Sequence, residues 1–396
     1  MGHIAESREN IIPLIDRLNK YPIGLVDNEI LRKILSLLFS EQEALVASKF
    51  PLHEATLSEL AKRTKIDHDS LLPILEAMAD KGLIMDMPYA DQTYYLLMPG
   101  VIGFFEYTFM KSRTDIPMAE VARLMTEYFR IDPENGQIAE FFGSRTPLTR
   151  SLVYDEHIPV TSVITPYESA REIIKKSNYG AVTMCYCRHK KQHMGERCKK
   201  KVPVENTCII LGNGARFFTR RGFAEYKTQK ELLEIIDLAH RLNLTHITDN
   251  IRNKPTFICN CCRCCCEIMA GIQAGYFDGV AKTSYIAQIN ATKCDYCGSC
   301  FTACNVHAIS LSQQSRKEKD MKRYSMVDER VCLGCGACIT SCEKNAISLV
   351  ARRNPVMPRE SKRKLYKAIL IEKGRLTPFI VDKIKTEVKR WITFGK

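Results

Sequence analysis

Residues 294–304 read Cys294-Asp-Tyr-Cys297-Gly-Ser-Cys300-Phe-Thr-Ala-Cys304, and residues 332–342 read Cys332-Leu-Gly-Cys335-Gly-Ala-Cys338-Ile-Thr-Ser-Cys342. Each stretch spaces its cysteines C-x2-C-x2-C-x3-C and runs on into a short apolar segment, Val-His-Ala-Ile-Ser-Leu or Asn-Ala-Ile-Ser-Leu. The copies lie 38 residues apart and form an internal repeat. The polar, basic segment between them, Ser312 to Arg323, is expected to be an exposed loop.

All 18 cysteines of the 396-residue chain lie between Cys185 and Cys342. Scattered buried thiols would not cluster in this way, and short repeating spacings in a long chain point to metal ligands rather than disulfides. The opening MGHIAESREN has no apolar signal core, and no stretch nears eighteen consecutive apolar residues. A cytoplasmic protein without a transmembrane segment is expected.

The C-x2-C-x2-C-x3-C repeat resembles the bacterial two-[4Fe–4S] ferredoxins. By that resemblance Cys294, Cys297, Cys300 and Cys342 hold one cluster, and Cys332, Cys335, Cys338 and Cys304 hold the other. Gly298, Gly334 and Gly336 would let the loops wrap with their amides toward sulfur. The family usually places Pro after the fourth cysteine, whereas this chain has Asn305 and Glu343. Zinc sites use two separated C-x2-C pairs, a poor match to eight cysteines in a duplicated register.

The remaining chain predicts an α+β multidomain protein. Residues 1–110 read as an amphipathic helix from Asp27 to Ser48, a short helix opened by the capping box Thr56-Leu-Ser-Glu59, and a helix capped by Asp69 and stopped at Gly82. A hairpin follows from Leu83 to Met98. This order resembles a winged helix-turn-helix. Residues 111–150 read as a helical connector, residues 151–285 as a cysteine-rich α/β or α+β domain, residues 286–350 as the dicluster module, and residues 351–396 as a basic tail, helical from about Pro378 to Phe394. In the central domain the strands are placed at Val160–Ile164, Ala181–Cys185, Cys208–Leu211 and Thr245–Thr248, and the helices at Tyr167–Lys176 and Lys230–Leu242. Thr228 and Glu231 form a second capping box. Gly212-Asn-Gly-Ala215 lacks the spacing of a dinucleotide loop and reads as a turn. His240 and His246 read as structural.

Ten cysteines stand outside the repeat: Cys185, Cys187, Cys198, Cys208, Cys259, Cys261, Cys262, Cys264, Cys265 and Cys266. Cys185-Tyr-Cys187 is followed by Arg188, His189 and His193, whose charge and donors favour thiolates. Adjacent side chains diverge, so about half of the run CNCCRCCC is expected to bind metal. A further Fe–S cluster with ligands from both Cys185–Cys208 and Cys259–Cys266, a zinc site, and redox-active thiols remain open readings. The C-x-C-R and CNCC-x-CCC patterns are similar to those of ferredoxin-domain proteins of anaerobes, a resemblance that implies no activity.

Function follows from the clusters. The leading expectation is electron transfer through two [4Fe–4S] clusters, as a redox partner or subunit of a larger anaerobic oxidoreductase complex. A redox-sensing DNA-binding regulator and a catalytic Fe–S reductase are the alternatives. Charge weighs against DNA: residues 1–110 carry 10 basic and 16 acidic residues, and the expected recognition helix opens on Asp67, His68 and Asp69. The excess of cations lies elsewhere; residues 351–396 hold 14 basic and 4 acidic residues. Trp391 and Phe394 on the basic tail are expected to pack on protein rather than on a membrane.

Overall fold

Ser40 divides the long amphipathic stretch expected from Asp27 to Ser48 into helices Glu29–Leu38 and Glu41–Ser48. The serine hydroxyl accepts from the Glu43 amide, while the Glu43 carboxylate accepts from the Ser40 amide, a reciprocal cap that starts a new helix. This computed structural model describes residues 3–158, 165–311, 325–377 and 379–380. The expected strand Val160–Ile164, the insert Ser312–Arg323 and nearly all of the Pro378–Phe394 helix, with Trp391 and Phe394, lie outside the described residues.

Thr56 caps helix Leu57–Thr64 as its sequence predicts. Helix His68–Asp80 is capped two residues earlier than expected, because Asp67, in extended backbone, takes the Ser70 amide at 2.9 Å. Gly82, at φ +74°, follows its end. Strands Ile84–Tyr89 and Gln92–Leu97 form the hairpin, and Ala55–Thr56 adds a third antiparallel strand beside Gln92–Leu97.

The central unit is built on a seven-stranded sheet. Its order is Val280–Ala281, Thr149–Ser151, Thr245–Asp249, Phe257–Cys261, Cys208–Leu211, Gly180–Thr183, Ala224–Tyr226. Only the first neighbouring pair is parallel, so the unit is α+β rather than a wound α/β sheet. Helices Ala170–Lys175 and Gln229–Arg241 appear where the sequence puts them, the latter with its complete Thr228–Glu231 box. Gly212–Ala215, read as a turn, instead opens helix Gly212–Arg220.

The repeat keeps its symmetry in the backbone. Tyr296 and Gly334, Gly298 and Gly336, and His307 and Asn345 occupy matching positions, and all six have positive φ. At Gly334 a Cβ would run into the Tyr285 carbonyl oxygen and the Thr283 hydroxyl, so glycine is required there. Strand Tyr285–Ile289 pairs with Ile347–Ala351, and Ile309–Leu311 with Ser325–Val327, both antiparallel.

The module is seated on the central sheet. The Tyr154 amide donates to the Cys335 carbonyl at 2.9 Å, the Thr283 amide to Leu333 at 3.1 Å, and the Ser151 hydroxyl to Leu333 at 3.1 Å. The N-terminal unit is tied down as well. Arg220 and Arg221 reach Asp86, and Arg221 also pairs with Glu76 at 2.8 Å and Asp80 at 3.0 Å. These carboxylates, with Asp86 first among them, hold the Arg221 guanidinium firmly charged. Among the described residues no helix is long and apolar enough to cross a membrane.

Candidate metal centres

The eight repeat cysteines gather in two sets. Cys294, Cys297, Cys300 and Cys342 line one cavity together with Ile289, Ser325 and Ile347. Cys304, Cys332 and Cys335 lie near enough to Cys338 for a charge on any of them to be felt there, as is one on Cys300. Burial pushes the Cys304 and Cys338 thiols up and that of Cys335 up to about 11. Such thiols hold a negative charge only beside a compensating cation. The fourth cysteine of each copy takes an amide hydrogen bond from four residues on: Ala308 N–H to Cys304 Sγ at 3.3 Å, and Ala346 N–H to Cys342 Sγ at 3.4 Å. Four sulfurs around one cavity, with an amide aimed at the last cysteine of each copy, fit the demands of a thiolate-bound iron–sulfur cluster.

A family model described as a 4Fe-4S dicluster domain matches residues 293–346. That region is a ferredoxin-type module, and the chain is an iron–sulfur protein over that span. No curated protein matches the chain.

The other ten cysteines divide between two places. Six form a ring in which each thiol shifts the ionisation of the next: Cys185, Cys187, Cys266, Cys261, Cys259, Cys208 and back to Cys185. Sheet register explains part of it. Cys208 lies opposite Cys259 across antiparallel strands, and Cys259 and Cys261 share a strand face. Cys185 and Cys266 sit at the N-caps of helices Tyr186–His193 and Glu267–Gln273. The thiols alternate around the ring. Hydrogen bonds from the flanking pair hold Cys185 and Cys266 well below the usual thiol range and bring Cys259 to about 6, while Cys187, Cys208 and Cys261 are driven up.

Cys198, Cys262, Cys264 and Cys265 make the second group, with all four sulfurs within 4.8 Å of one another. Neighbouring cysteines do diverge at Cys261/Cys262 and at Cys265/Cys266, which serve different groups. Cys264 and Cys265 converge, against the expectation for adjacent residues, because the chain turns at Arg263–Cys265 and strand alternation no longer applies.

Arg188 lies between the groups, 3% exposed. Its guanidinium donates to the Asn260 carbonyl at 2.7 Å and to the Thr207 hydroxyl at 3.0 Å. Burial alone would lower its pKa, but Cys185, Cys262 and Cys208 raise it instead. His189 and His193, expected beside the thiols, turn away: their Nε2 atoms meet at 3.0 Å, and His189 Nδ1 faces the Phe109 carbonyl at 2.8 Å.

Sequence reading missed a buried polar chain beneath the CNCC strand. His240 lies 2.6 Å from Glu156 and 2.9 Å from His246, and His246 Nδ1 lies 2.7 Å from the Asn260 side-chain oxygen. Burial first, then His240, pushes His246 down to about 3. Asn305 was legible only as a departure from the ferredoxin pattern. Its side chain accepts from the Arg263 amide at 3.2 Å and donates to the Asn243 carbonyl at 2.7 Å and to Thr245 at 3.0 Å.

Proposed function

We propose that this protein carries electrons through two [4Fe–4S] clusters to a further Fe–S centre in the central domain. It would act as a redox partner or subunit of a larger oxidoreductase in the cytoplasm of an anaerobe. Cys294, Cys297, Cys300 and Cys342 ligate one cluster, and Cys332, Cys335, Cys338 and Cys304 the other. The six-thiol ring Cys185, Cys187, Cys208, Cys259, Cys261 and Cys266 supplies the ligands of the further centre. Bound clusters provide one-electron carriers whose potentials are set by burial and by hydrogen bonds to sulfur.

The contact between the module and the thiol-rich turn carries this reading. Thr245 lies 3.6 Å from Cys335 Sγ, and Asn305 links the residue after Cys304 to the amide of Arg263 in the CNCCRCCC run. Asn305, next to Cys304, thus sits against the run that presents six of the other ten thiols, and Cys335 against the strand paired with it.

The domain division 1–110, 111–150, 151–285, 286–350 and 351–396 belongs to the same proposal, with the first unit a winged-helix-like module for protein contact. The ion pairs of Arg221 with Glu76 and Asp80 support protein contact over DNA, since they engage the C-terminal half of helix His68–Asp80. Its exposed start presents Asp67 and Asp69, which would repel phosphate. A catalytic role for the central site draws on Glu106, whose carboxyl is pushed up to about 7 by burial, with Cys259 adding to the rise.

Anaerobic metal and sulfide counts with reductive titration test the proposal. Two clusters give about eight iron and eight sulfide, and a third cubane raises both to about twelve. An iron content well below eight, or clusters that no low-potential reductant reduces, would overturn it.

A further inference from the structure

Four cysteines depart from the geometry of the rest. Cys198 Sγ lies 3.7 Å from both Cys262 Sγ and Cys264 Sγ, Cys264 Sγ lies 3.7 Å from Cys262 Sγ, and 3.7 Å separates Cys264 from Cys265. Among the described residues no other set of three or more His, Cys, Asp or Glu ligand atoms is gathered so closely. A tetrahedron of thiolates held about 2.3 Å from one metal ion has edges of about 3.8 Å. A cubane instead binds each thiolate to a separate corner iron and spreads the four sulfurs apart. A disulfide requires sulfurs about 2.05 Å apart, which none of these pairs approaches.

We propose that Cys198, Cys262, Cys264 and Cys265 bind a single divalent metal ion, zinc or ferrous iron, as a mononuclear tetrathiolate centre. The site is separate from the dicluster module and from the six-thiol ring, and it does not depend on the electron-transfer reading. Binding releases the thiol protons to solvent, and the dication offsets two of the four thiolate charges. Cations already present meet the remainder: Arg188 beside Cys262, and Lys200, which faces both Cys262 and Cys264. Cys262 and Cys265 are buried while Cys198 and Cys264 are half-buried, which leaves a route for the ion to enter.

The chain path gives the ion a structural task. Between His193 and Cys208 there is no helix or strand, and Cys198 lies in the middle of that segment. Three ligands from the turn after strand Phe257–Cys261 and one from this irregular segment would be joined by the metal. A bound ion therefore fastens the segment that leads from Cys187 to Cys208, two members of the ring.

The test uses the full-length chain purified anaerobically, with iron, zinc and acid-labile sulfide counted together. Cubane clusters contribute iron and sulfide equally, so a mononuclear centre appears as about one metal per chain in excess of sulfide. Cys264→Ser and Cys198→Ser should each abolish that excess and leave the sulfide count unchanged. If the excess is zinc, absorption at the zinc edge of the unmodified protein should give a sulfur-only shell with no metal–metal scattering. If it is iron, oxidation should produce a high-spin ferric signal. Both readings stand even if a variant fails to fold. Protein isolated without the excess is offered one equivalent of zinc, and binding that protects four thiols from alkylation supports the site.

Sulfide lost together with several irons in Cys264→Ser overturns the proposal, as does an excess that survives both substitutions. Failure to bind the added zinc overturns it as well. The sulfide count reports the dicluster module separately, so failure of this site and failure of the electron-transfer reading give different results.

Discussion

The ferredoxin-type module and the CNCCRCCC turn use the same ligand atom in opposite ways. In the module one set of four cysteines lines a cavity, Cys304 and Cys342 each take a backbone amide, and among the described residues no module sulfurs are gathered as tightly as those of the turn. In the central domain four sulfurs crowd within 4.8 Å of one another, and six more gather in a looser ring. Ligand spacing rather than ligand type thus selects how many metal ions a thiolate set accepts. A sequence rich in cysteine says which chemistry is available, and backbone geometry decides the nuclearity.

The comparison can be broken most forcefully at Cys335. Cys335→Ala should remove about four iron and four sulfide while sparing the sulfide-free metal at Cys264, whereas Cys264→Ser should do the reverse. Metal analysis of the two variants side by side decides it, and equal losses would erase the distinction between the regions. Next in size is Arg188→Met, which takes the buried cation from between the two central groups and leaves the Asn260 carbonyl and Thr207 hydroxyl without their donor. A loss of about 3–5 kcal/mol is expected in denaturant unfolding, with the module's iron retained in whatever protein folds.

Asn305→Ala probes the joint between the regions. Losing three hydrogen bonds to Arg263, Asn243 and Thr245 should cost about 1–3 kcal/mol. Faster exchange of the Arg263 amide should accompany an unchanged iron count. The remaining effect is one of pH. His246 is held neutral by burial, with its pKa about 3 against an ordinary 6.5. The stability it supports is complete above the ordinary value and is lost as pH falls from about 6.5 toward 3, at up to about 1.4 kcal/mol per unit. Unfolding midpoints across that window should flatten in His246→Gln, and an unchanged slope would remove His246 as the cause.

Much of the module was legible because its determinants are local. The 38-residue repeat carries cysteines, glycines and apolar runs in one register, and the matched positive-φ residues are its backbone counterpart. Strands Cys208–Leu211 and Thr245–Asp249 were legible from their apolar runs, and helix Gln229–Arg241 from its capping box. The grouping of the ten central cysteines was not legible, because it depends on which strands are neighbours. Cys208 meets Cys259 only through an antiparallel pairing, and Cys198 reaches Cys262 across 64 residues. Likewise, the Glu156–His240–His246–Asn260 chain joins four separate segments and leaves no spacing in the sequence. The departure at Asn305 was visible, but its purpose required the Arg263 turn to be placed beside it.

The repeat has two-fold character in its backbone, yet its surroundings do not. Cys297 is exposed, whereas its counterpart Cys335 lies against Thr245, with its carbonyl tied to Tyr154. A pair of equivalent halves has no inherent direction; burying one and baring the other supplies it. Among the described residues the Cys297 side is the more open to solvent. The Cys335 side faces the central sheet instead, through contacts fixed within the same chain. The duplicated motif thereby has a public end and a private end.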